Sequence, residues 1–244
     1  LVRYREQDTP TWNAAVEQLE LTDVHYLAER LLPLPEVAAD VLQSMQPQGI
    51  LRHINLQWQP EQPPEQRVVL ATNVPEVEFS SWHDVPAASG ISGQMTGGLT
   101  GGELRLASND GFSLHLARLF PKPWQYWRAH AQLVWAFDPQ GFTLRSPYLR
   151  VSGEEGEIGG DFLIRLLADA DEEDYMDLRV GLRDGDARFT GKYLPSLLPD
   201  FSDNLEHWLN TAIRAGQINQ GYFQYQGSLN KGAAPAARSI SLYF

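Results

Sequence analysis

Residues 129–151 read AHAQLVWAFDPQGFTLRSPYLRV, and their alternation decides the fold. Ala129, Ala131, Leu133, Trp135 and Phe137 fall on one side of an extended chain, because successive side chains of a strand point to opposite faces. Asp138 to Gly141 supplies a turn, after which Phe142 and Leu144 return on the same apolar side. Pro147 cannot donate to a ladder, so it marks an edge or a bend before Leu149 and Val151 resume. The stretch is a β-hairpin with one apolar and one polar face.

The same period of two continues on both sides. Upstream, Leu104 and Leu106 alternate with Glu103 and Arg105, Asn109-Asp110-Gly111 signals a hairpin turn, and Phe112, Leu114 and Leu116 come back. Earlier still, Val77 and Phe79, residues 67–72, and Ile54, Leu56 and Trp58 alternate, and two short strands are expected within the first 19 residues. Downstream of an acidic turn at 153–160 come Phe162, Ile164 and Leu166, then Met176, Leu178, Val180 and Leu182. No βαβ alternation interrupts this texture, so the expected fold is mainly β, an antiparallel meander with a few short helices. Roughly ten to thirteen strands at about 4.8 Å spacing give a sheet about 50 to 60 Å across. Such a sheet either packs on a second one or curls on itself.

If it curls into a strongly curved, taco-like groove, the lining is Leu104, Leu106, Phe112, Leu114, Leu116, Leu133, Trp135, Phe137, Phe142, Leu144, Phe162, Ile164, Met176 and Leu178. Strands of about seven residues are about 23 Å long, enough to shelter a lipid tail. A self-filled sandwich is served equally well by the same pattern.

Two helical interludes break the β texture. Residues 22–46 form an insertion of paired short helices, ended by Pro33 to Pro35 and by Pro47 and Gly49. Residues 202–215 form an amphipathic helix with Ser202 as cap, Leu205, Trp208, Leu209 and Ile213 on one stripe, and Gly216 as stop. The expected role of that stripe is to cap one end of the groove, with Trp208 in the core. The whole of 1–244 is then one β-rich unit.

Composition narrows the partners. The 244 residues are 43% hydrophobic, enough for a sizeable core. The 31 acidic and 19 basic residues give a net charge of -12, which repels a phosphate backbone, so nucleic acid is not an expected partner. There is no cysteine, hence no disulfide framework or thiol nucleophile. No apolar run approaches the roughly 20 residues that span a bilayer. The chain does not begin with Met, and it reads as a piece of a longer polypeptide.

Motifs for chemistry are missing. His25, His53, His83, His115, His130 and His207 show no ligand spacing, and residues 169–174, DADEED, lack the glycine and final glutamate of a calcium loop. Residues 90–102, GISGQMTGGLTGG, have no phosphate-loop lysine and precede a strand, so their glycines read as turns and bulges. Trp82, Trp124, Tyr126 and Trp127 suit sugar stacking, a membrane surface or plain burial. No metal or cofactor is expected, nor an enzyme.

The order of features is itself informative. GISGQMTGG, GGELRLAS, FSLHLARLF, VWAFD, GFTLRSPYLRVS, GGDF, KYLPSLLP, LEHWLNTAIRAG and INQGYFQYQGSL, preceded by LPLPEVAADVLQSMQPQGILRHINLQW, together resemble the YhdP family of AsmA-like proteins. The Gly/Ala/Pro-rich stretch 231–238 departs from that pattern. The resemblance implies a Gram-negative envelope protein, anchored in the inner membrane and extending through the periplasm as a hydrophobic β-groove. Its cargo would be the acyl chains of phospholipids moving between inner and outer membranes, in support of the outer-membrane permeability barrier. The competing expectation is a periplasmic scaffolding module with a closed β core.

Overall fold

The structure is a computed structural model that describes residues 2–6, 9–23, 43–82, 85–98, 100–169, 171–197, 202–212, 214–230 and 232–243. The strands are β1 (Val2–Glu6), β2 (Thr9–Glu20), β3 (Gln48–Trp58), β4 (Val68–Phe79), β5 (Ala87–Gly97), β6 (Gly101–Ser108), β7 (Phe112–His115), β8 (Trp124–Tyr126), β9 (Arg128–Asp138), β10 (Gly141–Gly153), β11 (Gly156–Leu167), β12 (Tyr175–Asp186), β13 (Gln217–Ser228) and β14 (Arg238–Tyr243). Helices are few: α1 (Pro64–Arg67), α2 (Asp203–Ala212), and 3-10 turns at Ala187–Tyr193 and Pro235–Ala237. All fourteen strands belong to one antiparallel sheet, in the order β1-β2-β3-β4-β5-β6-β9-β10-β11-β12-β13-β14, with β7 pairing β5 and β8.

The meander is a consequence of the turns. Phe137 opposes Phe142, and Asp138 Oδ1 accepts hydrogen bonds from the N–H groups of Gln140 and Gly141 at 2.8 and 3.0 Å, closing the β9–β10 turn tightly. Pro147 sits in a bulge, where the register shifts between Ser146 and Leu149, so a central strand tolerates it. The buried Ser146 hydroxyl donates to the Tyr148 carbonyl at 2.7 Å across that bulge.

One expected hairpin is not one. β6 and β7 do not pair across Asn109-Asp110-Gly111; they run end to end along β5, whose C-terminal half pairs β6 and N-terminal half pairs β7. β8 and β9 match them as a second interrupted strand, and the Gly111 N–H donates to the Trp127 carbonyl at the break. The reason is steric. Gly90 on β5 has φ +69° and lies against the Gly111 carbonyl, where a Cβ would overlap it, so adjacent strands break at one level. Further irregularities follow in β3, between Arg52 and Asn55, and in β4, between Val74 and Val77. Bulges of this kind bend strands and increase their twist.

The connections alternate between the two ends of the strands. One end carries the tight turns at 98–100 and 139–140, with 59–67, 168–174 and 229–237 longer. The other carries the two longest connections, 21–47 and 187–216, with 80–86, the β7–β8 extension and the two-residue turn 154–155. Of the expected helical insertion, residues 21–23 and 43–45 are helical, and the rest of it lies outside the described residues. The connection between β3 and β4 contains α1. α2 ends at Ala212, short of the expected stop at Gly216.

Candidate functional site

Register turns the strand patterns into a surface. Directly opposed residues of an antiparallel pair share a face. Met95 opposes Leu104, which opposes Leu133; Trp135 opposes Leu144, then Ile164, then Met176; Phe162 opposes Leu178, then Tyr225, then Ile240. Toward the N-terminus, Thr72 opposes Met95, Leu70 opposes Leu56, and Leu56 opposes Ala14. One apolar face therefore runs from β2 to β14, while the other face carries residues such as Arg145, Arg150, Asp161, Arg179 and Gln224.

No second sheet lies over that face among the described residues, because every strand belongs to the same sheet. Its burial is graded instead. Toward the end with long connections, Val74, Val77, Ala88, Ile91, Leu106, Ala129 and Ala131 form a closed core, against which Phe112, Leu114, Leu149 and Val151 pack. Toward the tight turns, Leu144, Ile164 and Met176 are half-buried, and Leu56, Trp58, Phe137 and Leu166 are exposed. The rings of Phe137 and Phe142 meet at that rim with centroids 4.8 Å apart.

The expected lining residues divide accordingly. Leu104, Leu133, Trp135, Leu144, Phe162, Ile164, Met176 and Leu178 lie half-buried on the face, Leu106 is in the closed core, and Phe137 is 55% exposed at the rim. Phe112 and Leu114 lie in the core extension on β7. Leu116 is corrected: it follows the end of β7, and its carbonyl accepts the N–H groups of Leu119 and Phe120 in a turn. Trp208 is corrected as well. It is 60% exposed, and α2 lies beside the 3-10 turn Ala187–Tyr193, so the tryptophan is a surface residue and not part of the core. The side chains of Leu205 and Leu209, and Ile213 as a whole, lie outside the described residues.

Sequence reasoning missed the polar cluster that fastens the closed end. Glu155, in the acidic turn expected at 153–160, is 3% exposed. Lys192 Nζ donates to its Oε1 at 2.6 Å and to the Gln125 carbonyl at 3.1 Å, and the Tyr193 hydroxyl donates to the same carboxylate. Tyr126 and Tyr193 join hydroxyls at 3.0 Å, the Trp124 indole N–H donates to the Lys192 carbonyl at 3.1 Å, and Lys192 Nζ stands 4.6 Å from the Tyr126 ring centroid. Burial pushes both tyrosine hydroxyls above their usual range, so they stay protonated and serve as donors. Nothing local signals this cluster, since 37 residues separate Glu155 from Lys192.

Among the described residues, no group of three or more acidic or histidine side chains is placed to hold a metal ion, and no helix is long and apolar enough to cross a membrane. A family model described as YhdP protein matches residues 1–236. No curated protein and no solved structure matches the chain.

Proposed function

The chain belongs to the YhdP family, and from that premise we propose that it is a non-enzymatic, phospholipid-carrying segment of a bacterial envelope protein. The observation that carries this reading is the apolar face continuous from β2 to β14, with no second sheet over it among the described residues. An apolar surface so wide, with no second sheet over it, marks a site where something else binds. Along the twelve strands of the main path, neighbours about 4.8 Å apart make a track of about 53 Å. Acyl chains laid across the strands would be shielded from water, at about 0.8 kcal/mol per buried CH₂. Contacts with Leu, Ile, Met and Phe are non-directional, so a tail can slide from one set to the next. On this reading the bulges and glycine breaks curl the sheet into a trough, and the segment works in the periplasm within an inner-membrane-anchored protein.

Native mass spectrometry of the purified protein is the test. Bound phospholipid is expected on the wild type, and Leu133→Asp is expected to remove it while circular dichroism retains the β signal. A lipid-free wild type overturns the reading and leaves a structural module in its place.

A further inference from the structure

The glycines of residues 90–102 have a second use that turns and bulges do not explain. Gly97 on β5 opposes Gly102 on β6, and Gly102 opposes Trp135 on β9. Both glycines stand on the apolar face, in the row that continues through Leu144, Ile164 and Met176. The indole of Trp135 lies down over them: a Cβ on Gly102 would overlap its Cζ2 atom, and a Cβ on Gly97 would stand 3.5 Å from it. A side chain of even one carbon at position 102 would displace the ring and would also press on the Thr96 carbonyl and the Gly97 Cα of β5. Trp135 is half-buried, so one side of the indole rests on glycine backbone while part of it remains accessible. A large flat apolar ring lies where the missing side chain of Gly102 leaves room, and it fills what would otherwise be a notch in the face beside the β5–β6 turn.

We propose that Trp135, bedded on Gly97 and Gly102, is a contact residue for hydrocarbon chains, over which the acyl tail of a phospholipid passes on the middle strands of the sheet, near the β5–β6 turn. This rests on the lipid-carrying reading and names the place where the tail meets the protein. An extended chain lies flat on a ring face with many small dispersion contacts and no fixed partner. Raising the ring would put an obstacle in the path, and removing it would leave a dent.

The test loads purified protein with phosphatidylcholine brominated on its acyl chains, because bromine quenches tryptophan emission at short range. Capture is measured by mass on the same samples. Wild-type emission is expected to fall on loading, and most of that fall is expected to disappear in Trp135→Phe, which keeps an aromatic ring on the face. Gly102→Ala, which evicts the indole from its bed, is expected to lower captured lipid several-fold, and Gly97→Ala to lower it less. Lipid captured by both proteins with equal quenching would overturn the assignment of Trp135 while leaving the lipid-carrying reading intact. A wild type that captures none overturns both. Should Gly102→Ala fail to fold, the difference between wild type and Trp135→Phe decides the matter alone.

Discussion

Replacing Lys192 with Met tests whether the closed end is held by its buried charges. Glu155 is 3% exposed and the Lys192 side chain 21%, so the pair is shielded, more completely on the acid side. Met keeps most of the stem's apolar volume and removes the ammonium. Glu155 then retains the Tyr193 hydroxyl but loses its countercharge, and a buried carboxylate without one costs about 3–5 kcal/mol. The partial exposure of Lys192 lets water approach, which places the expected loss near the lower end, about 3 kcal/mol. For a domain of this size that lowers the melting temperature by roughly 6–12 °C. Thermal and urea unfolding of wild type, Lys192→Met, Glu155→Gln and the double variant measure it. The double variant should be less destabilised than the sum of the singles, because neutralising Glu155 removes the uncompensated charge. A Lys192→Met protein that melts within a degree or so of wild type, or strictly additive losses, would refute the reasoning and make the pair a solvated one.

Three further outcomes follow from the same geometry. Trp208→Ala should change stability by no more than about 0.5 kcal/mol, since the side chain is 60% exposed; a loss of several degrees in melting temperature would show that α2 packs on the core after all. Gly90→Ala should cost on the order of 1–3 kcal/mol or more, because it combines φ +69° with an overlap on the Gly111 carbonyl; urea midpoints measure it, and an unchanged value would mean the break relaxes freely. Asp186 is held below the usual carboxylate range by its hydrogen bonds from Arg188, and Glu103 by Arg105. A depressed folded-state pKa stabilises above the unfolded value and is lost as pH falls through the folded one, so both contributions should vanish on strong acidification. Arg188→Gln should flatten part of the acid limb of a stability–pH curve, and an unaltered limb would remove Asp186 from the account.

Strand existence and facing were legible in the sequence because they are local. The alternation of Ala131, Leu133, Trp135 and Phe137 specifies which side chains share a face, and a one-residue slip would put polar Gln132 there instead. Pairing partners were less legible. Asn109-Asp110-Gly111 has the composition of a hairpin turn, yet its geometry is set by Gly90 on another strand, which no local pattern reveals. Part of the candidate face is therefore written in the sequence, whereas Leu116 and Trp208 were assigned by period alone and lie where the period has already ended or faces water. The Glu155 cluster was invisible for a related reason. An acidic turn is ordinarily solvated, and only the return of the chain at Lys192 and Tyr193 makes this one a buried anchor.

The order of strands has a kinetic side. From β1 to β6 and again from β9 to β14, each strand pairs its immediate neighbours in sequence, so most loop-closure distances are short despite the size of the sheet. The sheet can grow outward one ribbon at a time, and stability approximates a sum of nearest-neighbour terms, as in a linear array. The exceptions are the β6–β9 and β5–β7 seams, where strands pair across intervening elements. Protection against hydrogen exchange should therefore decline from β6 and β9, where the core is buried, toward β1 and β14, with the two outer strands opening and closing many times for each unfolding of the centre.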